Sequence, residues 1–205
     1  MGHIVLTSNG FFTDRIKSRF LRLLDQNPSV LNVAIITTAS PLKEQNPFAQ
    51  KAREDLIRMG FMDVTFIDIE HENPSLLFDK NVVYISGGNP FVLLTHMRTI
   101  RADQLFEKIL KNGVVIIGVS AGAVILGPNI EIVQHFTPAM NTLKLEDFTG
   151  LGLADHFNFP HYDREDIFSD ESGKTIEERI REFETNHNCS VVRLKDDDDF
   201  IISKF

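Results

Sequence analysis

The sequence predicts a doubly wound α/β fold, with a mostly parallel sheet covered by helices on both faces. Three observations lead there. Short β-branched runs are apolar at nearly every position, as strands buried on both faces are. Segments with apolar residues at helical spacing lie between those runs, and such alternation implies right-handed crossovers onto a parallel sheet. Two glycine-rich turns, Ser86-Gly87-Gly88-Asn89-Pro90 and Gly118-Val119-Ser120-Ala121-Gly122-Ala123, each follow a strand candidate and open a helical stretch. Open α/β sheets form their sites at such carboxyl ends.

Taken in order, strands are expected at residues 4–8, 33–38, 64–67, 82–86 and 114–119. Between them, Ile16, Phe20, Leu23 and Leu24 share one helix face, and Phe48, Ala52, Leu56 and Met59 share a second that Gly60 stops. Leu105 and Ile109 belong to a third helix, ended by Asn112-Gly113. Beyond Gly127-Pro128 the pattern loosens. Glu131–Phe136 and Phe157–Pro160 read as short strands, and residues 175–185 as a helix with Ile176, Ile180 and Phe183 on one face. The end reads as a hairpin, 191–194 and 200–203, turning at Asp196-Asp197-Asp198-Asp199. No repeat or linker interrupts residues 1–205, so a single α/β domain is expected.

Bulk properties narrow the function classes. Of the 205 residues 42% are hydrophobic, enough for a substantial core. The formal net charge of −8, from 21 basic and 29 acidic residues, argues against a nucleic-acid partner, which calls for a basic stripe. No apolar run approaches a membrane span of about 18 residues, and residues 1–7 show no secretory leader pattern. The one cysteine, Cys189, excludes an internal disulfide and suits the reducing cytoplasm, the expected location.

The turn at Gly118–Gly122 carries the chemistry. A serine between a strand and a helix, with glycines two before and two after it, fits a nucleophile elbow. The helix N-terminus behind Ser120 favours developing negative charge, and the Ala121 N–H is the natural first oxyanion donor. Read plainly, Gly87-Gly88 is a helix-start turn capped by Asn89, with Pro90 at the first helical position. Its bare backbone also lets a substrate approach and offers the Gly88 N–H as a second oxyanion donor. A serine nucleophile needs a base. Among seven histidines, His161 follows the apolar segment Phe157-Asn158-Phe159-Pro160 and enters a polar loop, the setting of a placed base. His135 and His156 are the alternatives that spacing leaves open.

These pieces, in this order, resemble the peptidase E (aspartyl dipeptidase) and cyanophycinase family of serine peptidases. Gly87-Gly88-Asn89, Gly118–Ala123, Gly150-Leu151-Gly152-Leu153, Asn158-Phe159-Pro160-His161 and Gly173-Lys174-Thr175 carry the resemblance. It implies a class I glutamine amidotransferase-like fold, Ser120 as nucleophile, His161 as base, and the Gly88 and Ala121 N–H groups as oxyanion hole. It also implies a small peptide substrate and catalysis without metal or cofactor, and some family members are dimers.

Two positions depart from that family. The acidic triad member should fall near Phe136-Thr137-Pro138-Ala139-Met140-Asn141, which holds no carboxylate. Asp163, two residues after His161, is the first substitute, with Glu131, Asp147 and Asp155 behind it. The arginine suited to an N-terminal aspartate is replaced by Ile176, so strict Asp-Xaa specificity is not expected unless Arg164 or Arg179 takes its place. An esterase or amidase with a non-peptide substrate, and a catalytically silent peptide-binding member, are the competing readings.

Overall fold

A computed structural model describes residues 1–204 except Ser169 and Glu171, with only the backbone described for Ser203 and Lys204. Five parallel strands form the body of the main sheet: β1 (Gly2–Thr7), β2 (Asn32–Ile36), β3 (Asp63–Ile67), β4 (Val82–Ile85) and β5 (Val115–Val119). Their order is β3-β2-β4-β5-β1, and β8 (Asp199–Lys204) closes the edge antiparallel to β1.

Alternation along these strands builds two cores. Ile4, Leu6, Ala34 and Ile36 face α3 (Pro90–Thr99), α4 (Ala102–Lys111) and α5 (Ala121–Ile125). Val5, Val33, Ile35 and Ile117 face α1 (Asp14–Leu21) and α2 (Pro47–Arg58). The expected strand-helix alternation thus appears as a sheet covered on both faces. Asn46 and Asn89 cap α2 and α3 with a proline in the first turn, the second as expected from Asn89-Pro90.

The last third departs from expectation in two places. Glu131–Phe136 is a short helix, α6, not a strand; Ile132 and Phe136, four apart, turn inward together. The expected terminal hairpin does not form. β7 (Val191–Leu194) pairs parallel with β6 (Phe157–Pro160) in a separate two-stranded sheet, while β8 joins the main sheet. The reason is the intervening helix α7 (Ile176–His187): strand, helix and strand make a crossover unit, which forces the strands parallel. Ile132, Phe136, Phe159, Ile176, Ile180, Phe183 and Val191 give this unit its own small core.

Candidate functional site

Ser120 stands at the end of β5 with φ 50° and ψ −111°, a backbone conformation that non-glycine residues rarely adopt. Its N–H donates to the Thr7 carbonyl at 3.0 Å, tying the turn to β1. Crowding explains the flanking glycines. A Cβ at Gly122 would lie 2.4 Å from the Ile85 carbonyl oxygen, and one at Gly118 would lie 2.7 Å from the Gly122 oxygen. Gly88 has φ +144°, and a Cβ there would meet the Ala39 oxygen at 2.3 Å. The two glycine-rich turns therefore pack against each other and against the end of β2 because they carry no side chains.

The small sheet brings up the rest of the site. Its register pairs Pro160 with Leu194, so the residues just past both strands emerge side by side. The Tyr162 N–H donates to the Leu194 carbonyl at 3.1 Å and locks that exit. His161, with φ 59°, then turns its ring between Ser120 and Asp196. His161 Nε2 is 3.0 Å from Ser120 Oγ, and Nδ1 is 2.7 Å from Asp196 Oδ1. Ser8, buried at the end of β1, accepts the His161 backbone N–H at 2.7 Å and donates its hydroxyl to Asp196 Oδ1 at 2.7 Å.

Burial pushes the Asp196 carboxyl up, but hydrogen bonds from Ser8 and His161, the His161 charge and a hydrogen bond from Arg164 together outweigh it. The group sits below its ordinary value and stays anionic. An anionic carboxylate at Nδ1 fixes the imidazole tautomer that leaves Nε2 free to accept a hydroxyl proton.

Asp163, the first substitute for the missing acid, does not reach the ring; its Oδ1 accepts the Asp196 backbone N–H at 3.0 Å. It braces the loop that presents Asp196. The other candidates lie elsewhere. Glu131 faces His187 at 3.4 Å, Asp147 pairs with Arg98 at 3.3 Å, and Asp155 is exposed. His135 stacks its ring near Phe183, and His156 near Phe200. Ile176 is fully buried, and Arg179 is fixed on the backbone carbonyls of Phe168 and Phe136 at 3.0 and 3.3 Å, so neither presents charge to Ser120. Arg164 is held by Asp166 and Asp196. The residue that sequence reading missed is Asp196, hidden in a run of four aspartates that looked like a turn. The βαβ order around α7 was the available signal.

Among the described residues, Asp68, Glu70 and His71 have the spacing of metal ligands. None of the three lines a cavity that Ser120 lines, and the Lys43 ammonium already lies 3.0 Å from Asp68 and 2.5 Å from Glu70. No described helix is long and apolar enough to cross a membrane.

The family model for peptidase family S51 matches residues 4–204. An uncharacterized peptidase of Pasteurella multocida is 33% identical over 136 residues, 64% of this chain and 65% of its own length. Peptidase E of Streptomyces coelicolor is 27% identical over 155 residues, 76% of this chain and 62% of its own. The chain thus spans somewhat less than two thirds of these curated relatives. A crystal structure of a candidate peptidase E protein from Listeria monocytogenes superposes with TM-score 0.77 at 24% identity, covering 98% of this chain and 94% of that one. This likeness establishes the fold, a mostly parallel α/β sheet of the class I glutamine amidotransferase-like type.

Proposed function

The chain belongs to peptidase family S51, and we propose that it is a serine peptidase acting on small peptides, with Ser120 as nucleophile, His161 as base and Asp196 as the orienting acid. The observation that carries the reading is the unbroken line of contacts, Ser120 Oγ to His161 Nε2 at 3.0 Å and His161 Nδ1 to Asp196 at 2.7 Å. Ser120 Oγ attacks the scissile carbonyl while His161 Nε2 takes its proton. The Gly88 and Ala121 N–H groups hold the oxyanion, and worth of the order of 2.7–4 kcal/mol attaches to a donor of this kind. The imidazolium then gives its proton to the leaving amine. Water, deprotonated by the same ring, releases the acyl group. Asp196 remains ionised throughout and stabilises the imidazolium.

A carboxylate at His161 Nδ1 removes the chief ground for a catalytically silent member, the empty position near Ala139. The buried Ile176 and the backbone-bound Arg179 favour peptides other than strict Asp-Xaa dipeptides. A fluorophosphonate probe tests the reading. Wild type is expected to label and Ser120→Ala to stay unlabelled; equal labelling of the two would remove Ser120 from the mechanism.

A further inference from the structure

Ser120 lines two cavities. One, of about 230 Å³, mixes Asn9, Asn46, Lys51 and Asp55 with Phe11, Phe48 and Tyr84. The other, of about 250 Å³, is walled by Val124, Ile132, Val133, Phe136, Met140 and Phe159. It is several times the ~30 Å³ that a water molecule occupies in the liquid. Among its described lining residues His161 is the only ionisable one.

Among the described residues no lysine or arginine lines this cavity. The Arg179 guanidinium lies 4.0 Å over the Phe136 ring, but its N–H groups hold the backbones of Phe136 and Phe168, two residues of the wall. Ile176 is packed into the cluster behind Phe136 and Phe159. A carboxylate placed in this cavity would lose water and gain no lysine or arginine partner among the described residues, which is costly. An aromatic or branched aliphatic group would instead be removed from water against apolar walls.

The cavity also belongs to the acyl side of the site. Gly88 and Ser120 line both cavities, whereas Ala121 lines only the apolar one. A carbonyl oxygen held between the Gly88 and Ala121 N–H groups, with its carbon on Ser120 Oγ, brings the acyl α-carbon to this cavity's mouth. Asn158 also lines this cavity. It is buried and its Nδ2 donates to the carbonyls of Ala123 and His156, but its Oδ1 has no partner among the described residues. That oxygen would accept the N–H of an aminoacyl group brought within its reach.

We infer that this cavity is the acyl-side subsite and takes an aromatic or large aliphatic side chain, so that preferred substrates are peptides whose acyl residue is apolar rather than acidic. The inference rests on the reading of Ser120 as nucleophile. The test therefore separates the two and does not depend on turnover. N-acetylated α-amino boronic acids with the side chains of Phe, Leu, Ala and Asp are used to protect wild-type enzyme from a fluorophosphonate. Each forms a bond from Ser120 Oγ to boron, the hydroxyl proton passing to His161. The Phe and Leu compounds are expected to protect at concentrations about tenfold or more below those of the Ala and Asp compounds. Equal protection by all four, or best protection by the Asp compound, overturns the subsite. Failure of the probe to label wild type at all overturns the nucleophile, and the subsite with it.

Discussion

The main sheet and the small sheet each deliver part of the site, and they do so by different means. The main sheet presents Ser120 from a strand hydrogen-bonded on both sides, by β4 and β1, at a turn whose glycines leave no room for change. The small sheet has two strands of four residues and presents His161 and Asp196 from just past their carboxyl ends, braced by Tyr162, Asp163 and Ser8. A strained nucleophile needs a scaffold that overdetermines its backbone. A base and its acid need only to leave two adjacent parallel strands at the same level. The difference teaches where each kind of substitution should act.

The largest effect is expected at the junction of the two sheets. His161→Ala should lower kcat/KM by about 10⁴-fold or more, since triad members act as a unit. A loss of only a few-fold would show that the small sheet supplies no base. Within the main sheet, Gly122→Ala forces a methyl toward the Ile85 carbonyl, where a Cβ would lie at 2.4 Å. Overpacking of this kind costs about 1–3 kcal/mol, read as a lower urea midpoint. A neutral Gly122→Ala would mean that the elbow is looser than its packing implies.

Ser8 links the two regions, lying at the end of β1 while it holds both His161 and Asp196. Ser8→Ala removes the hydrogen bond donated to the Asp196 carboxylate and the one accepted from the His161 backbone N–H, and leaves the triad atoms in place. A loss of about 1.5–3 kcal/mol, roughly 10- to 150-fold in labelling rate, is expected. An unchanged rate would make Ser8 a packing residue only.

The smallest effect concerns what holds the small sheet to its helix. Arg193 on β7 donates to Glu177 at 3.0 Å and to Glu184 at 2.7 Å, both on α7. The Arg193 hydrogen bond comes first among the causes that bring Glu177 down to about 2 against burial, followed among the lowering ones by Arg181 and Tyr162. A depressed carboxyl contributes stability above its unfolded pKa of about 4.3 and loses it as pH falls through the folded value. Arg193→Met should therefore flatten the acid loss of stability between about pH 4.5 and pH 2. It should also speed amide exchange in β6 and β7 while β2, β4 and β5 stay protected. Uniform exchange across both sheets would contradict their independence.

The same comparison explains what could be read from the sequence. Four of the five parallel strands of the main sheet hold continuous apolar runs, while β3 alternates with Asp63 and Thr65 exposed, and helical stripes lie between most of them. Ser120 and the Gly88 turn follow from those strands' carboxyl ends. The small sheet gives a weaker signal. Of Val191-Val192-Arg193-Leu194 only the two ends are buried, and Arg193 serves an ion-pair network rather than a core. Glu131–Phe136 is too short for periodicity to separate strand from helix. Asp196 was legible in principle, because a helix between two strands makes them parallel and puts both carboxyl ends at one edge. The four consecutive aspartates read as a hairpin turn, which masks the crossover that α7 makes. Asp163 was suggested by its nearness to His161 in sequence, but two residues along a loop do not bring a carboxylate to the ring; the adjacent strand does.

The most direct test of the central claim compares two aspartates. Fluorophosphonate labelling rates are measured for Asp196→Asn and Asp163→Asn, each checked for folding by its thermal unfolding midpoint. With the carboxylate replaced by an amide at His161 Nδ1, the rate for Asp196→Asn should fall by about 10³- to 10⁴-fold. Asp163→Asn keeps an oxygen that can accept the Asp196 backbone N–H, and should lose about tenfold or less. Equal rates for the two variants, or the larger loss at Asp163, would contradict the assignment of Asp196 as the acid.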